Sequence, residues 1–230
     1  RRLARLGARV TITGRRREKV EAVAAAIGAN CIAVAGDVTS AADRRRIIDA
    51  AVAHGGGLQV LVNNAGNMYR GPITELDQAQ VLDLFNVNVV AGMMLTGLAV
   101  EHLAKAGGAV LFVSSVHTLR AYPGASPYAA TKGAITALTR VLAAELGPKG
   151  ICVNCLVPGA VPTEINIRAG LFTEEQHTAR MDAIAKDHAL KRVGTPEEMA
   201  EAIEYLIRAE WTTGAMLVAD GGLSLGLSNF

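Results

Sequence analysis

Short apolar runs alternate with longer segments of helical periodicity along most of this sequence. In chain order the runs are ARVTIT, NCIAVAG, LQVLV, GGAVLFVSS, GICVNCLV and GAMLVADGG. Successive strand–helix units favour a parallel sheet, because each helix packs back onto the sheet before the next strand begins. We therefore predict an α/β fold with one doubly wound, mostly parallel sheet and helices on both of its faces.

Composition limits the kind of protein this can be. Half of the 230 residues are hydrophobic, enough for one large core, and we assign residues 1–230 to a single domain. The 23 basic and 21 acidic residues are interleaved, so no basic stripe indicates nucleic acid. No apolar run reaches the roughly 18 residues of a membrane helix, so no membrane partner is expected. Three cysteines make no disulfide framework, which favours the cytoplasm.

Small or polar residues follow four of the predicted strands. They are Asp37, Asn63, Ser115 and Pro158. The carboxyl ends of parallel strands lie along one edge of a sheet, and ligands bind in the crevice beyond that edge. These residues therefore predict a binding site there. Cys152 and Cys155, three positions apart in a predicted strand, point to opposite faces and predict no metal site.

A tyrosine and a lysine lie one helical turn apart in the segment SPYAATKGAITALTRVLAAEL. Tyr128 and Lys132 are separated by four positions, so the phenol and the ammonium share a helix face. A nearby cation favours the phenolate, which predicts a Tyr128 pKa below its usual value of about 10. Ser115, at a strand end, can reach the same pocket. The three residues have the outline of a proton-transfer site.

These residues match the Ser–Tyr-x-x-x-Lys pattern of the short-chain dehydrogenase/reductase family, which the sequence resembles over essentially its whole length. The further matching motifs are Asp37-Val38, Asn63-Asn64-Ala65-Gly66, Asn88, Pro158-Gly159 and Asp220-Gly221-Gly222. The resemblance implies a Rossmann-like, dinucleotide-binding fold. It also implies a first strand and a glycine-rich turn that this sequence lacks. We therefore expect an N-terminally incomplete domain, short by roughly 20 residues.

The resemblance implies a role for each residue of the proton-transfer site. Tyr128 would be the general acid/base, Lys132 its pKa-lowering partner and ribose contact, and Ser115 a hydrogen-bond partner of the substrate oxygen. Asn88 would anchor a proton relay to solvent; the alternative is a core amide whose hydrogen bonds are satisfied. His117 is expected on the pocket wall, against the substrate.

The resemblance also implies which residues contact a nicotinamide dinucleotide. Besides Tyr128 and Lys132, they are Asp37, Val38, Asn63, Ala65, Gly66, Pro158, Gly159, Val161 and Thr163. Asp37 would contact the edge of the adenine. Its alternative is a cap on the following helix, a place that Ser40 could also take.

Cofactor choice depends on the end of the run ARVTIT. An enzyme that selects NAD typically has an acid there, whereas this sequence has Gly14, followed by Arg15 and Arg16. Guanidinium groups bind phosphate in a forked geometry, so we predict NADP, with NAD as the alternative. The arginines could instead be a solvated helix start, as we expect for Arg17.

The activity that the resemblance implies is hydride transfer between NADP(H) and a carbonyl or secondary alcohol, without a metal. The sequence is similar to 3-oxoacyl-carrier-protein reductases, and we predict that substrate class. Glucose 1-dehydrogenases are the alternative, because SSVH and TEIN match their segments, although Thr118 stands where they usually carry glutamate. A non-catalytic dinucleotide sensor or scaffold is the alternative of another class, but such proteins usually lose the Tyr128–Lys132 pair.

Two further expectations concern the surface. Residues 164–191 are polar and mixed, and in this family that position is a substrate-covering loop, so we expect a lid. The helix that bears Tyr128 carries more apolar residues than one sheet face covers, for example Ile135, Leu138, Val141 and Leu142. Since family members pair through this helix, we expect a homotetramer. The alternative is that all four are core residues.

Overall fold

The computed structural model describes residues 1–226, which form six strands and nine α-helices. The strands are β1 (Val10–Gly14), β2 (Cys31–Ala35), β3 (Val60–Asn63), β4 (Ala109–Val113), β5 (Cys152–Pro158) and β6 (Met216–Ala219). The helices are α1 (Arg2–Arg5), α2 (Arg17–Ile27), α3 (Ala41–Gly55), α4 (Gln78–Phe85), α5 (Ala91–Ala104), α6 (Ser126–Leu146), α7 (Ile165–Arg168), α8 (Glu174–Ala185) and α9 (Pro196–Arg208). Each of the apolar runs contains a strand, as predicted.

The strands are all paired in parallel, and they form two hydrogen-bonded sheets. One sheet is β1–β2, with Val10 beside Cys31. The other has the order β3–β4–β5–β6, with Val113 beside Leu156. The parallel α/β architecture is confirmed, but residues 1–226 do not form the one continuous sheet that was predicted. Within that range no strand pairs with the free edges of β1 and β3, so the sheet is divided there.

Successive side chains of β4 enter two different cores. Val110 and Phe112 are buried in a cluster that includes Ile135 of α6. Leu111, on the opposite face, is buried with Leu206 of α9. Since neighbouring strand residues point to opposite faces, helices cover both faces of the four-stranded sheet, as a doubly wound fold requires.

The longest helical stretch joins α4 and α5 through a π-helical turn, Asn86–Val90. Its 27 residues include a window of mean hydropathy 1.6, so it is long and apolar enough to cross a membrane by length and composition. This corrects the expectation that was drawn from uninterrupted apolar runs. Polar residues interrupt the run, but the mean hydropathy of the window stays high. Leu95, Ala99 and Leu103 are at most 7% exposed and belong to the main core, so this helix is a core element of the fold.

Residues 164–191, which were expected to form a loop, contain the short helix α7 and the longer helix α8. A capping box begins α8: Gln176 N–H donates to Thr173 Oγ1 at 3.2 Å, and Thr173 N–H donates to Gln176 Oε1 at 3.0 Å. The pattern T-x-x-Q that produces this box is present in the sequence. The segment is therefore mostly helical.

Candidate active site

A cavity of about 630 Å³ opens at the carboxyl ends of the strands. The residues after four strands line it: Arg15, Asp37, Asn64 and Ser115. Both sheets contribute to its wall, and its volume suits a small molecule. A neighbouring cavity of about 420 Å³ shares Gly159, Ala160 and Met199 with it and is also lined by Arg192 and Glu198. The larger cavity, which Tyr128 and Lys132 also line, is the candidate active site.

Helix α6 carries Tyr128 and Lys132 in the cavity wall. They are 7% and 5% exposed, and the Lys132 ammonium lies 5.5 Å from the centre of the Tyr128 ring. Lys132 Nζ donates a 2.8 Å hydrogen bond to the carbonyl oxygen of Val113, the last residue of β4. Ser114 Oγ donates to the backbone carbonyl oxygen of Lys132 at 3.0 Å. The end of β4 therefore holds the lysine at both its backbone and its ammonium group.

Burial disfavours the charged forms of both residues. It raises the pKa of Tyr128 to about 12, and the Ser115 hydroxyl opposes that rise. It lowers the pKa of Lys132 to about 8. The expected lowering of the Tyr128 pKa by Lys132 is therefore wrong for this structure, because desolvation of the phenol dominates. The phenol is protonated at neutral pH and can donate a proton.

Ser115 and His117 form a hydrogen-bonded pair next to Tyr128. Ser115 Oγ lies 3.0 Å from His117 Nδ1 and accepts from the His117 backbone N–H at 3.3 Å. The imidazole lies 4.3 Å from the ring of Tyr122 and meets the Tyr128 ring edge-on at 5.1 Å. Burial and three nearby cations lower the pKa of His117 to about 4. A neutral imidazole therefore packs against the phenol and fixes the Ser115 hydroxyl.

Asn88 lies in the π-helical turn, and every polar atom of its amide is hydrogen-bonded. Oδ1 accepts from the Asn67 N–H at 2.7 Å, and Nδ2 donates to Asn67 O and Thr131 Oγ1, each at 3.1 Å. A Cβ added at Gly66 would lie 3.3 Å from Asn88 Oδ1 and 3.8 Å from Lys132 Nζ. These bonds tie the segment after β3 to α6, and the proton-relay role expected of Asn88 stays a prediction.

The opposite end of the cavity is exposed and charged. Arg15, whose side chain is 64% exposed, lies 3.9 Å from Asp37 Oδ2. Asp37 Oδ1 accepts from the backbone N–H and the hydroxyl of Thr39, at 2.9 and 2.7 Å. The backbone bond is the main reason why the pKa of Asp37 is below its usual value. Ser40, rather than Asp37, caps α3 by accepting from the Asp43 N–H.

Two of the predicted cofactor contacts lie outside the cavity lining. Arg16 donates a 2.9 Å hydrogen bond to Glu164. Asn63 donates to Thr96 Oγ1 at 3.1 Å, and its neighbour Asn64 lines the cavity instead. The other predicted contacts that line the cavity, besides Arg15, Asp37, Tyr128 and Lys132, are Val38, Ala65, Gly66, Pro158, Gly159, Val161 and Thr163.

Sequence reasoning missed three arginines in the cavity wall, Arg70, Arg168 and Arg180. Arg70 follows the NNAG turn, and Arg180 lies on α8; they line the cavity together with His117 and Tyr122. The two are far apart in the sequence and belong to no motif, so no spacing joins them. The capping box of α8 is the only signal that could have placed Arg180 on a helix.

Comparison with known proteins shows similarity over most of the chain. The model of the family described as enoyl-(acyl carrier protein) reductase matches residues 1–224. A similar relative is the granaticin polyketide synthase putative ketoacyl reductase 2 of Streptomyces violaceoruber. It is 38% identical over 229 residues, which cover 97% of this chain and 89% of that protein.

Two solved structures are also similar. A short-chain dehydrogenase/reductase of unknown function from Caenorhabditis elegans, solved with cofactor, superposes with a TM-score of 0.92 at 30% identity, covering 97% of this chain and 89% of that one. A gluconate 5-dehydrogenase from Burkholderia cenocepacia, in complex with NADP and tartrate, gives 0.86 at 31% identity, covering 98% and 89%. The chain therefore belongs to the short-chain dehydrogenase/reductase family of NAD(P)-dependent oxidoreductases.

Proposed function

We propose that this protein is an NADP(H)-dependent reductase that transfers a hydride to a ketone carbonyl, with 3-oxoacyl thioesters as its substrate class. The observation that carries the proposal is the position of the buried Tyr128 phenol, beside Lys132 and the Ser115–His117 pair in one cavity wall. A protonated phenol can donate to a carbonyl oxygen, so this arrangement favours reduction. The name of the similar Streptomyces protein, a putative ketoacyl reductase, supports the substrate class.

Each side chain has one task in this proposal. Tyr128 donates its phenolic proton to the substrate oxygen as the carbonyl becomes an alcohol. The Ser115 hydroxyl donates a hydrogen bond to the same oxygen, and His117 supports it from behind as the Nδ1–H tautomer. Lys132, whose ammonium is held by the Val113 carbonyl, would contact the ribose of a bound cofactor. Asn88 fixes the segment that carries Gly66 and thereby positions the cavity wall.

The cavity fits a nicotinamide dinucleotide phosphate by the chemistry of its lining. Glycines 14, 36 and 66 line it, so the backbone can approach a ligand closely. The Arg15 guanidinium is exposed, and its 3.9 Å separation from Asp37 leaves its donors available to a 2′-phosphate. When bound, this cofactor supplies the hydride. The residues that would hold it are Arg15, Asp37, Val38, Asn64, Ala65, Gly66, Lys132, Val161 and Thr163.

We also propose that one more strand and a glycine-rich turn complete the sheet between β1 and β3. The support is the division of the sheet within residues 1–226, where β1 and β3 each pair on one edge only. Unpaired backbone groups at buried edges are costly unless another strand satisfies them. Hydrogen exchange of the native protein tests this: amides of β1 and β3 should be as protected as those of β4. Rapid exchange confined to β1 and β3 would contradict it.

Helices α7 and α8 are proposed to cover the substrate as a lid. Asn166, Met181 and Ile184 from this segment line the cavity. A covering segment excludes water from the reacting groups. Limited proteolysis within residues 164–191 should slow when cofactor and substrate are both present. An unchanged cleavage rate would contradict a closing lid.

A cofactor-dependent absorbance assay tests the proposed function with 3-oxoacyl thioesters, simple ketones and aldoses. We expect turnover of the thioester with NADPH and none of the aldoses with NADP. The reverse result would identify a sugar dehydrogenase. The similarity to a gluconate 5-dehydrogenase supports that alternative. Intact cofactor binding without turnover of any substrate would identify a non-catalytic dinucleotide sensor or scaffold.

The oligomer is proposed to be a homotetramer that pairs through α5 and α6. Val141 on α6 is 61% exposed, and Met93 and Met94 on α5 are 39% and 45% exposed. Ile135, by contrast, is buried in the core, so only part of the apolar face named from the sequence is available for pairing. Light scattering checks the proposal, and a monomer at micromolar concentration would contradict it.

A further inference from the structure

We infer that Arg70 and Arg180 form an anion-binding subsite at the substrate end of the cavity, and that the ketone substrate carries a carboxylate or phosphate group which binds there. The inference rests on the proposed reductase function and names the kind of substrate that the site takes. Both arginines line the same cavity as Tyr128 and His117. They come from two separate parts of the chain, the segment after β3 and helix α8.

A contact with a neutral group holds each arginine in place and leaves its charge unpaired. Arg70 Nη2 donates to the carbonyl oxygen of Pro123 at 3.0 Å. The Arg180 guanidinium lies over the ring of Phe172, 5.3 Å from its centre. A guanidinium has five N–H donors, so one backbone bond leaves most of those of Arg70 for a ligand. The two side chains are therefore supported without a counter-charge.

Carboxylates that could neutralise the pair lie elsewhere. Every ion pair found in residues 1–226 involves side chains other than Arg70 and Arg180. Among the described residues that line the cavity, Asp37 is the only acid, and it lies beside Arg15 at the cofactor end. The substrate end is therefore a cationic cavity that has no acid of its own.

The positive charges of the two arginines lower the pKa values of neighbouring basic groups. Burial, and then the charge of Arg180, lower the pKa of Arg70. Burial and the charges of Arg70, Arg180 and Lys132 lower the pKa of His117 to about 4. Like charges in a partly desolvated site repel one another, and a bound anion removes that repulsion while gaining charge-assisted hydrogen bonds.

Arg120 provides a matched comparison close by. It lies 5.9 Å from the ring centre of Tyr122, which lines the cavity, but its guanidinium already contacts Asp187 at 3.3 Å. It also donates to the backbone of Leu223. Arg120→Met therefore removes one cation from the same neighbourhood without removing a charge that faces the ligand, and it is the control variant.

Two kinds of substrate carry the required anion, and matched pairs of compounds separate them. Acetoacetate and its ethyl ester differ in a carboxylate next to the reacting ketone. Acetoacetyl-coenzyme A and the acetoacetyl thioester of N-acetylcysteamine differ in the phosphates of the carrier. We expect kcat/KM with NADPH to be at least about tenfold higher for the anionic member of one pair, since a charge-assisted contact has that magnitude. The pair that shows the ratio identifies the source of the anion.

The variants Arg70→Met and Arg180→Met should each lower that ratio about tenfold, and Arg120→Met should leave it unchanged. Added KCl should reduce the ratio in the wild type, because salt screens the interaction. Equal kcat/KM within both pairs, or a ratio that survives both substitutions, would overturn the inference. Efficient reduction of the neutral esters in that case would leave the proposed reductase function intact.

A binding measurement keeps the inference testable even without turnover. Calorimetric titration with malonate, and with its neutral isostere malonamide, measures the subsite directly in the whole protein. We expect malonate to bind at least about fivefold more tightly than malonamide in the wild type and in Arg120→Met, with the difference lost in Arg70→Met and Arg180→Met. Equal binding of the two compounds to the wild type would count against the subsite whatever the enzyme assay shows.

Discussion

The two ends of the cavity are built in different ways. At the tyrosine end, Tyr128, Lys132 and Asn88 are at most 7% exposed, and hydrogen bonds to the backbone or to a buried side chain hold Lys132 and Asn88. At the cofactor end, the side chains of Arg15 and Asp37 are 64% and 37% exposed, and only a 3.9 Å ion pair joins them. Exposed ion pairs stabilise a structure little. We therefore expect substitutions to have large effects at the tyrosine end and modest ones at the cofactor end.

The largest expected effect is that of Tyr128→Phe. The substitution keeps the buried ring and removes the proton that the phenol donates, so kcat should fall by about 10²- to 10⁴-fold. Cofactor affinity, measured by fluorescence titration, should change little because the ring packing remains. A variant that retained a tenth of the wild-type kcat would show that Tyr128 is not the acid and would remove the main contrast between the two ends.

Asn88→Ala should destabilise the fold by about 3 kcal/mol, since it removes three hydrogen bonds and leaves buried partners unsatisfied. Urea denaturation measures the loss. Asn86→Ala is the control, because Asn86 lies in the same π-helical turn but is exposed. Similar losses in both variants would mean that the turn itself, rather than the bonds of Asn88, sets the stability.

Acid should weaken the fold through His117. In the unfolded chain the imidazole binds a proton near pH 6.5, but in the folded protein only near pH 4. Between these values the unfolded state holds more protons, so stability is present above pH 6.5 and is lost as the pH falls through 4. We expect a loss on the order of 3 kcal/mol across this window. His117→Gln should abolish that part of the loss, and an identical pH profile in the variant would contradict the assignment.

The smallest expected effects are at the cofactor end. Arg15→Ala should reduce the preference of kcat/KM for NADPH over NADH about tenfold, the magnitude of one charge-assisted contact. Arg16→Ala should change it less than about threefold, because Arg16 is paired with Glu164. If the preference for NADPH fell more in the Arg16 variant than in the Arg15 variant, Arg16 rather than Arg15 would be the residue that binds the 2′-phosphate.

Local features of the site could be predicted from the sequence. Strands buried on both faces need continuous apolar residues, so β4 and β5 were recognisable. Of the four residues predicted to lie at the cavity, Asp37, Ser115 and Pro158 line it and Asn63 does not. Helical periodicity placed Tyr128 and Lys132 on one face. Sequence spacing indicates which side chains are neighbours, but not how far each one is desolvated in the folded protein. For that reason the direction of the Tyr128 pKa shift was predicted wrongly.

Contacts between distant parts of the chain could not be predicted. Arg16 and Glu164 are 148 positions apart, so no sequence pattern shows that the Glu164 carboxylate pairs with the Arg16 guanidinium. Arg70 and Arg180 line the same cavity although they are far apart in the sequence, and neither belongs to a motif. The unpaired edges of β1 and β3 are a similar case. β3 (VLVN) is nearly as apolar as β4 (AVLFV) but is only half-buried, because its burial depends on which strands pair with it.

Glu164 has a practical consequence for engineering. It accepts hydrogen bonds from Lys19 and Arg16, each at 2.9 Å, which lower its pKa to about 2, and it immediately precedes α7. A designer who replaces Arg16 with an acid to change cofactor specificity therefore places a negative charge against Glu164 and loosens the start of the covering segment. Such a variant should release bound substrate faster, as a rise in its dissociation rate would show. We therefore expect a substitution of Arg16 to change substrate residence time through Glu164, even though it changes cofactor preference little.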